Sequence, residues 1–396
     1  MTGQDTQVCN LLVKVDGKEE IKATDTETWK LANGAQVVAL SVDQRLDCPD
    51  SFELEFVASE DGTRTVFDYA KDGAQIELGF GYDKPIKTLF KGEIIYIETE
   101  MSAEHGERVI LRGFDHSHRL TRGQSAKTWG DGTKEDQDFS QAVSDVITDA
   151  KAGKGGTSHG LAPSTIDKTD AKVRYIPKAM TSDYDFIKWA GSNLARATDS
   201  GQTDGKKISF RKLDSSGSPV ATVCHDKKEG SKPILSTKTR FTITTYPMYA
   251  KVRVHGWNNK DKKAFVAEIE SASSNLDFAT ANSGWTAAWQ AAGKAVHNSG
   301  SSGAVYERVA EFCESKEEAE KIAQGLFDAF SLKHFTGEIE VEGCPDIAPG
   351  VIVEFKGFGR FDGKVLVTQA THRLSAGKQA YLTNFQFCAN ASKAAK

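Results

Sequence analysis

The chain lacks closely spaced cysteines, long apolar runs and a basic charge balance, and each absence excludes a class of protein. Cys9, Cys48, Cys224, Cys313, Cys344 and Cys388 stand singly, with no CxxC pair. That pattern argues against a disulfide framework and a zinc knuckle, and predicts reduced, mostly buried thiols that act as small hydrophobes. No run of about 18 apolar residues occurs, so no transmembrane helix is expected. Mean hydropathy is −0.44, which fits that expectation. The N-terminal MTGQDTQVCNLLVKVDGKEE has no basic start followed by an apolar core, so no Sec signal is read there. The expectation is a protein made and kept in a cytoplasm unless a dedicated machine exports it. A net charge of −5 argues against a general nucleic-acid binder. Gly79-Phe-Gly81 and Gly357-Phe-Gly359 are not followed by the Lys-Ser/Thr of a phosphate loop, and their flanks read strand to strand. The block 115–235 is read as without a G-x-S-x-G nucleophile elbow. With 55 acidic residues, carboxylate pairs of the glycosidase kind are inevitable and uninformative.

What is present is mostly strand signal, organised around Leu89–Gly123. Two runs, Gly92–Glu100 and Glu107–Phe114, flank the polar turn SAEHG. Alternation predicts a hairpin with Ile94, Tyr96 and Glu98 on one face and Glu93, Ile95 and Ile97 on the other. Gly106 supplies a residue free to take positive φ. Upstream, Leu11–Val15, Gln36–Asp43, Ser51–Val57 and Gln75–Phe80 are short strand candidates. Such strands, closely spaced, predict a barrel or sandwich.

Downstream, Phe139, Val143, Val146 and Ile147 predict a helix over Asp138–Ala150. Ala152–Ser158 reads as a connector. A second helix is expected over Asp183–Thr198, capped by Thr181 or Ser182, then strands at Lys207–Lys212 and Val220–Cys224. Strand signal returns over Phe241–Trp257, with Ala264–Glu270 pairing across the turn NNKDKK. Ser271–Gly303 is rich in Ser, Ala, Gly and Asn; it reads as a surface loop with a short helix, or as a contact arm bearing Trp285 and Trp289 one helical turn apart. Ser315 and Glu318 form an S-x-x-E capping box for a helix over Ser315–Phe335. Its stripe is Ala319, Ile322, Ala323, Leu326, Phe327 and Phe330, read as core packing. Strands follow at Gly337–Glu342, Val351–Phe355, Lys364–His372 and Ala380–Phe387.

An internal repeat ties the two ends together. Gly73, Ile76 and Glu77 match Gly350, Val353 and Glu354, while Phe90, Gly92 and Ile94 match Phe361, Gly363 and Val365. The offsets are 350 − 73 = 277 and 363 − 92 = 271, which makes the second turn six residues shorter. Two similar barrels in one chain would let three chains form a ring of six barrels, with threefold and pseudo-sixfold symmetry together.

FKGEIIYIETE with VILRGFDHSHRLTRG, then VRVHGWNNKDKKAFVAE, then the helix and GEIEVEGCPDIAPGVIVEFKGFGRFDGKVLVTQATHRL resemble, in order, the late-control D proteins of contractile phage tails. The similarity spans about Asn10 to Phe387. The resemblance implies a mixed, β-dominated α+β fold of the phage baseplate hub kind, with two related β-barrel domains and an inserted α+β domain. The expected division is 1–115 (first barrel), 116–235 (insert), 236–335 (connecting strands, arm and capped helix), 336–390 (second barrel, completed by strands from 236–270) and 391–396 (tail). It implies a non-enzymatic homotrimeric hub between a sixfold inner tube and a threefold spike, transmitting thrust on contraction. Implied partners are tube or tube-initiator proteins, the spike, baseplate wedges, and tape measure or cargo, with no nucleic acid and no membrane anchor. No repetitive needle sequence follows the second barrel, so either the spike is a separate protein or this is the hub portion of a fused type VI-like spike. From another class, a β-rich carbohydrate-binding or wall-processing module would use exposed aromatic platforms, with Trp285 and Trp289 as the candidates.

No catalytic, cofactor or metal residue is assigned. His116 and His118 form an HxH beside Asp115, and His105 is the nearest third candidate; without correct spacing they read as a polar exit from the barrel. Arg119, Arg122 and Lys127 read as a solvated or subunit-facing patch.

Overall fold

A computed structural model describes residues 9–19, 29, 35–46, 48–57, 71–82, 84–102, 106–134, 136–149, 160–169, 172–193, 196–199, 205–246, 248–289, 304–310, 313–376 and 380–393. The expected connector Ala152–Ser158, His105, and the arm beyond Trp289 as far as Gly303 lie outside these residues.

Strands β1 (Asn10–Val15), β2 (Lys18–Glu19), β3 (Gln36–Arg45), β4 (Ser51–Val57), β5 (Gln75–Gly81), β6 (Thr88–Ser102) and β7 (Gly106–Asp115) line up in the order β2-β1-β5-β6-β7-β4-β3. Alternate side chains of β1, β3 and β4 turn inward: Leu11 and Val13, Leu40 and Val42, Leu54 and Phe56 are all buried. That period of two is what a strand with one solvated face dictates. Trp29 ties the ends of the curved sheet together. Its carbonyl accepts from the Val37 N–H at 2.9 Å, and its indole N–H donates to the Cys9 carbonyl at 3.1 Å. The expected alternation along β6 breaks at Ile95. A bulge between Ile94 and Tyr96 shifts the register against β7, so Ile94 is buried and Tyr96 is exposed, while Ile97 packs against the core. One extra residue in a strand swaps every face beyond it.

The chain then leaves for an α+β insert. It comprises β8 (Ser125–Trp129), β9 (Gln137–Asp138), α1 (Phe139–Asp149), β10 (Ala162–Ile166), β11 (Lys172–Val173), β12 (Ile176–Thr181), α2 (Asp183–Asn193), β13 (Arg196–Asp199) and β14 (Lys207–Lys212). Its own core holds Trp129, Val143, Ile147, Ile187 and Phe210. Ser182 caps α2, its Oγ accepting from the Asp185 N–H at 3.0 Å. The helix expected to reach Thr198 ends at Asn193, and 196–199 pairs with β14 as a strand. Pairing places Thr198 opposite Phe210, and β-branched and aromatic residues suit a ladder better than a further helical turn.

The second barrel is built from β15 (Thr222–Cys224), β16 (Pro233–Ile243), β21 (Phe335–Glu342), β22 (Ile352–Lys356), β23 (Gly363–Ser375) and β24 (Ala380–Ala389). Their order is β15-β22-β23-β24-β21-β16, closed by the parallel β15–β16 pair. Phe335, Phe355, Phe385 and Phe387 fill it, with Phe355 and Phe387 edge to face at 4.9 Å. Of the stretch 236–270 expected to complete this barrel, β16 does so, whereas β17 (Lys251–Asn258) and β18 (Lys263–Ile269) join β20 (Val305–Val309) in a separate sheet. That sheet packs against α4 (Lys316–Ser331) through Val252, Val254, Ala319, Ala323 and Phe327. A short helix α3 (Phe278–Ala281) and β19 (Trp285–Ala287), which pairs with β25 (Ala391–Lys393), close the far end of the barrel.

In chain order and in neighbour order the two six-strand units match: β1, β3, β4, β5, β6, β7 answer to β15, β16, β21, β22, β23, β24. The fold is thus β-dominated with two related barrels and an inserted α+β unit. The hydrogen bonds also correct the sequence alignment of the repeat. Gly73 (φ 76°) and Gly350 (φ 82°) are equivalent, and their N–H groups donate to Ile94 and Val367, both at 2.8 Å. The second offset is therefore 367 − 94 = 273, and the turn is four residues shorter (277 − 273), not six. Gly92 does not correspond to Gly363. The barrels are joined by β3 and β23, antiparallel from Ala39↔Ser375 to Arg45↔Gln369.

Candidate assembly surface

The polar exit from the first barrel is an internal knot. Asp115 ends β7 and caps a short 3-10 helix over His116–Thr121, accepting from the Ser117 N–H at 2.7 Å and the Asp50 N–H at 2.9 Å. His116 and His118 therefore lie on this short helix, not on a strand. His118 Nδ1 is 2.6 Å from the Asp115 carbonyl, which makes that nitrogen the donor. His116 Nε2 meets the Gln75 side-chain oxygen at 2.5 Å. Burial holds the His116 pKa down to about 4 and lowers that of His118, so both stay neutral near neutral pH. Glu93 sits between them. Burial raises its pKa, but hydrogen bonds from Arg119 and Gln75 outweigh this and leave it lowered. Arg119 thus occupies the place a cation would take, as a charge-assisted partner of Glu93. Among the described residues no group of three or more His, Cys, Asp or Glu side chains is placed to hold a metal ion.

The basic cluster is split up by the fold. Arg119 is drawn inward to Glu93, Arg122 reaches His118 Nε2 at 3.1 Å, and Lys127 lies 4.7 Å over the Trp129 ring. The sequence reading missed Glu93 as the centre of this knot because its partners Arg119 and Gln75 lie 26 residues downstream and 18 upstream, on other elements.

Trp285 and Trp289 are buried and offer no platform to a sugar. Trp285 donates its indole N–H to the Asp362 carbonyl at 2.9 Å and packs edge-on to Phe335; Trp289 packs on Phe327. The start of the expected arm is core. Leu276 and Phe278 belong to the second barrel, where Asn390 accepts from the Phe278 N–H at 3.1 Å and donates to the Leu276 carbonyl at 2.6 Å. Small and polar residues there mark close packing and satisfied backbone, which composition alone does not distinguish from a loop.

The two Gly-Phe-Gly runs are barrel parts. Phe80 is fully buried, and a Cβ on Gly79 would come 2.5 Å from the Lys87 carbonyl oxygen. Phe358 joins the cluster around Phe241. Five of the six cysteines are buried, Cys48 is exposed, and none is paired. One correction comes from the sequence itself: Gly156-Thr-Ser158-His-Gly160 has the literal G-x-S-x-G spacing. Residues 151–159 lie outside those described.

A cleft of about 680 Å³ separates the insert from the β20–α4 unit, lined by Phe139, Trp189, Val309, Glu318 and Ile322 among others. The expected cap lies there. Ser315 Oγ accepts from the Glu318 N–H at 3.1 Å, and the Glu318 carboxylate accepts from the Glu314 N–H at 3.2 Å. Burial pushes the Glu318 pKa up to about 7. A carboxyl whose folded pKa exceeds its unfolded value binds extra protons when folded, so stability declines as pH rises from about 4.5 to 7. Glu318→Gln removes that penalty: guanidinium unfolding should show a gain of about 1–3 kcal/mol at pH 8 and almost none at pH 4.5. An equal gain at both pH values would contradict this.

The remaining features are strand edges. Residues 96–102 of β6 pair with β7 on one side only, and 236–243 of β16 pair with β21 on one side only, among the described residues. Tyr96 and Met101 are 57% and 75% exposed. No described helix is long and apolar enough to cross a membrane.

The family model described as Alg8 N-terminal domain matches residues 30–376. No curated protein matches the chain. Among solved structures, the fold resembles the 43 kDa tail protein of prophage MuSo2 from Shewanella oneidensis, with TM-score 0.63 and 11% identity over 96% of this chain and 98% of that one. A tail protein from Neisseria meningitidis MC58 matches with TM-score 0.61 and 13% identity, covering 96% of both chains. The E. coli c3393 protein matches with TM-score 0.52 and 10% identity, over 95% of this chain and 76% of that one. It is described as a type VI secretion system component structurally similar to the T4 tail proteins gp27 and gp5. At these identities the likeness is one of fold.

Proposed function

The chain belongs to the Alg8 N-terminal domain family; from its two-barrel fold, and not from that family, we propose that it is a structural, non-enzymatic component of a phage-tail-type particle, the baseplate hub. The observation that carries this reading is the same six-strand order occurring twice in one chain, joined edge to edge by β3 and β23. Three such chains present six similar barrels around a threefold axis, which suits a part that seats a sixfold tube on a threefold spike. The tail and type VI descriptions of the fold neighbours support the same setting. The family description names a domain and no reaction.

On this reading the partners are two further copies of the chain, the tube or its initiator, the spike, the wedges, and tape measure or cargo. On the same reading the hub transmits thrust to the spike on contraction. The division into 1–115, 116–235, 236–335 and 336–390 belongs to the same proposal. The hub portion of a fused type VI-like spike is the nearest alternative. The test is co-purification with the tube and spike proteins of the same gene cluster. Three copies per spike are expected, and a chain that remains monomeric beside both partners overturns the hub reading.

A further inference from the structure

The joint inside the chain specifies a second joint between chains. Barrel equivalence can be carried strand by strand through the ladders. Ile94 answers to Val367, so Ile97 answers to Ala370 at the same offset of 273. Ile97 faces Leu111 and Ala370 faces Phe385; Leu111 faces Leu54 and Phe385 faces Ile339. Leu54 in turn faces Leu40, and Ile339 faces Thr239. So β3 maps on β16 with offset 239 − 40 = 199.

Within the chain, residues 39–45 of β3 pair with 369–375 of β23. The counterparts of these two edges are 238–243 of β16 with Thr244 just beyond it, and 96–102 of β6. Both are open on the corresponding side among the described residues: β5 follows β6 only as far as Glu93, with Gly73 and Ala74 bonded to Ile94, and β15 follows β16 only as far as Leu235. Side-chain burial registers the missing neighbour. Leu374, at the occupied joint, is 2% exposed; its counterpart Met101 is 75% exposed. Residues 237–240 are exposed on both faces of their strand.

We propose that β6 of one copy pairs antiparallel with β16 of the next, in the register of the β3–β23 joint. The register then follows without adjustment. Arg373↔Ser41 becomes Glu100↔Arg240, and Leu374↔Leu40 becomes Met101↔Thr239. Ala370↔Gln44 becomes Ile97↔Ile243. The charges agree: the β6 edge carries Glu98 and Glu100, and the β16 edge carries Lys238 and Arg240. Opposite charges across a strand pair favour it, and like charges oppose it. The two edges of one chain differ, so the contact is head to tail and closes as a ring when the rotation permits. The number of copies in that ring rests on the hub reading; the seam itself does not.

The test is a pair of cysteines in the full-length chain, Glu100→Cys with Arg240→Cys, in a background where the exposed Cys48 is replaced by Ser. Directly opposed residues have Cα atoms about 4.5–5.5 Å apart, within disulfide range. Mild oxidation should link chain to chain, stop at closed trimers on a non-reducing gel, and yield a 100–240 cross-linked peptide. The out-of-register pair Glu100→Cys with Thr242→Cys should link about tenfold less. Arg240→Glu alone should weaken assembly, and adding Glu100→Arg should restore it, which separates a lost seam from a lost fold. Equal linking by both cysteine pairs, or trimers that never link at 100–240, overturns the seam and leaves the hub reading standing. A chain with no oligomer at any concentration, alone or with tube and spike, overturns both; Lys238 and Arg240 then guard an edge against pairing.

Discussion

Tyr381→Ala should lower the unfolding free energy by about 3–5 kcal/mol, the range for removing a buried aromatic side chain. Tyr381 is 1% exposed and lies where the two barrels meet. It belongs to a β24 strand of the second barrel, yet it packs in the first barrel's core beside Leu374. Phe80 meets its ring edge-on at 4.8 Å, and the Tyr82 ring lies tilted to it at 5.9 Å. The backbone of Gly343 lies directly beneath the ring, where any Cβ would strike it. The hydroxyl reaches His372 Nδ1 at 2.8 Å. His372 is fully buried, and burial holds its pKa down to about 4. Its Nε2–H donates to the Ile347 carbonyl at 3.1 Å, so Nδ1 is the acceptor. Truncation therefore opens a cavity and strips one donor from a neutral, buried imidazole. Tyr381→Phe keeps the packing and should cost about 0.5–1.5 kcal/mol. Denaturant titration followed by far-UV circular dichroism measures both. Equal losses for Ala and Phe would mean that the hydroxyl, not the ring, holds the joint; a loss for Ala below about 1 kcal/mol would mean that the barrels do not depend on it.

Gly113→Ala should be strongly destabilising despite adding a single methyl group. Gly113 stands in β7 opposite Ile94 on one side and Phe52 on the other. A Cβ there would overlap the Glu93 carbonyl oxygen and come 2.7 Å from the Phe52 ring. The obstacle on one side is backbone, so no rotamer relieves it; β6 and β7 must part where the Ile95 bulge already bends the sheet. The expected cost is at or above the upper end of the roughly 1–3 kcal/mol typical of overpacking. It would be read as lost soluble yield and a lower denaturation midpoint. Glu93 and the His116–Arg119 knot should loosen with it, because the Glu93 backbone is the group displaced. Gly81→Ala is the control: the nearest atom to its Cβ is Pro345 Cγ at 3.6 Å, and its effect should be within about 1 kcal/mol of zero. If the two variants behave alike, close backbone approach is not what Gly113 provides.

Strands and caps were legible in the sequence because they depend on near neighbours. Alternation located β1, β3, β4 and β5, and Ser182 and Ser315 were correct caps. The repeat was legible as a hairpin with a glycine at its start. Its register was not, since matching Gly92 with Gly363 follows residue identity, whereas the Gly73–Ile94 and Gly350–Val367 hydrogen bonds define the equivalence. The closure of the second barrel was legible only in part: β16 from Ser236 onward lies within the expected 236–270. β17 and β18 carry strong strand signal, but β15, only three residues long, supplies the missing pairings to both β16 and β22. Trp285 and Trp289 looked like surface aromatics because their neighbours are small and polar; the residues that bury them, Phe335 and Phe327, come 50 and 38 positions later (335 − 285 and 327 − 289). Glu93 and Arg119 show the same limit for charge. In sequence they are one acidic and one basic residue among many; in the fold they neutralise each other at the barrel exit.

The account centres on two like barrels per chain arranged to build a ring. Native mass spectrometry of the purified chain, alone and with its tube and spike neighbours, combined with electron-microscopy class averages of the same samples, tests that most directly. The account predicts three chain masses and a ring of six similar lobes around an open centre. A species that stays at one chain mass with both partners present, or a closed assembly whose lobes do not number two per chain, would contradict it.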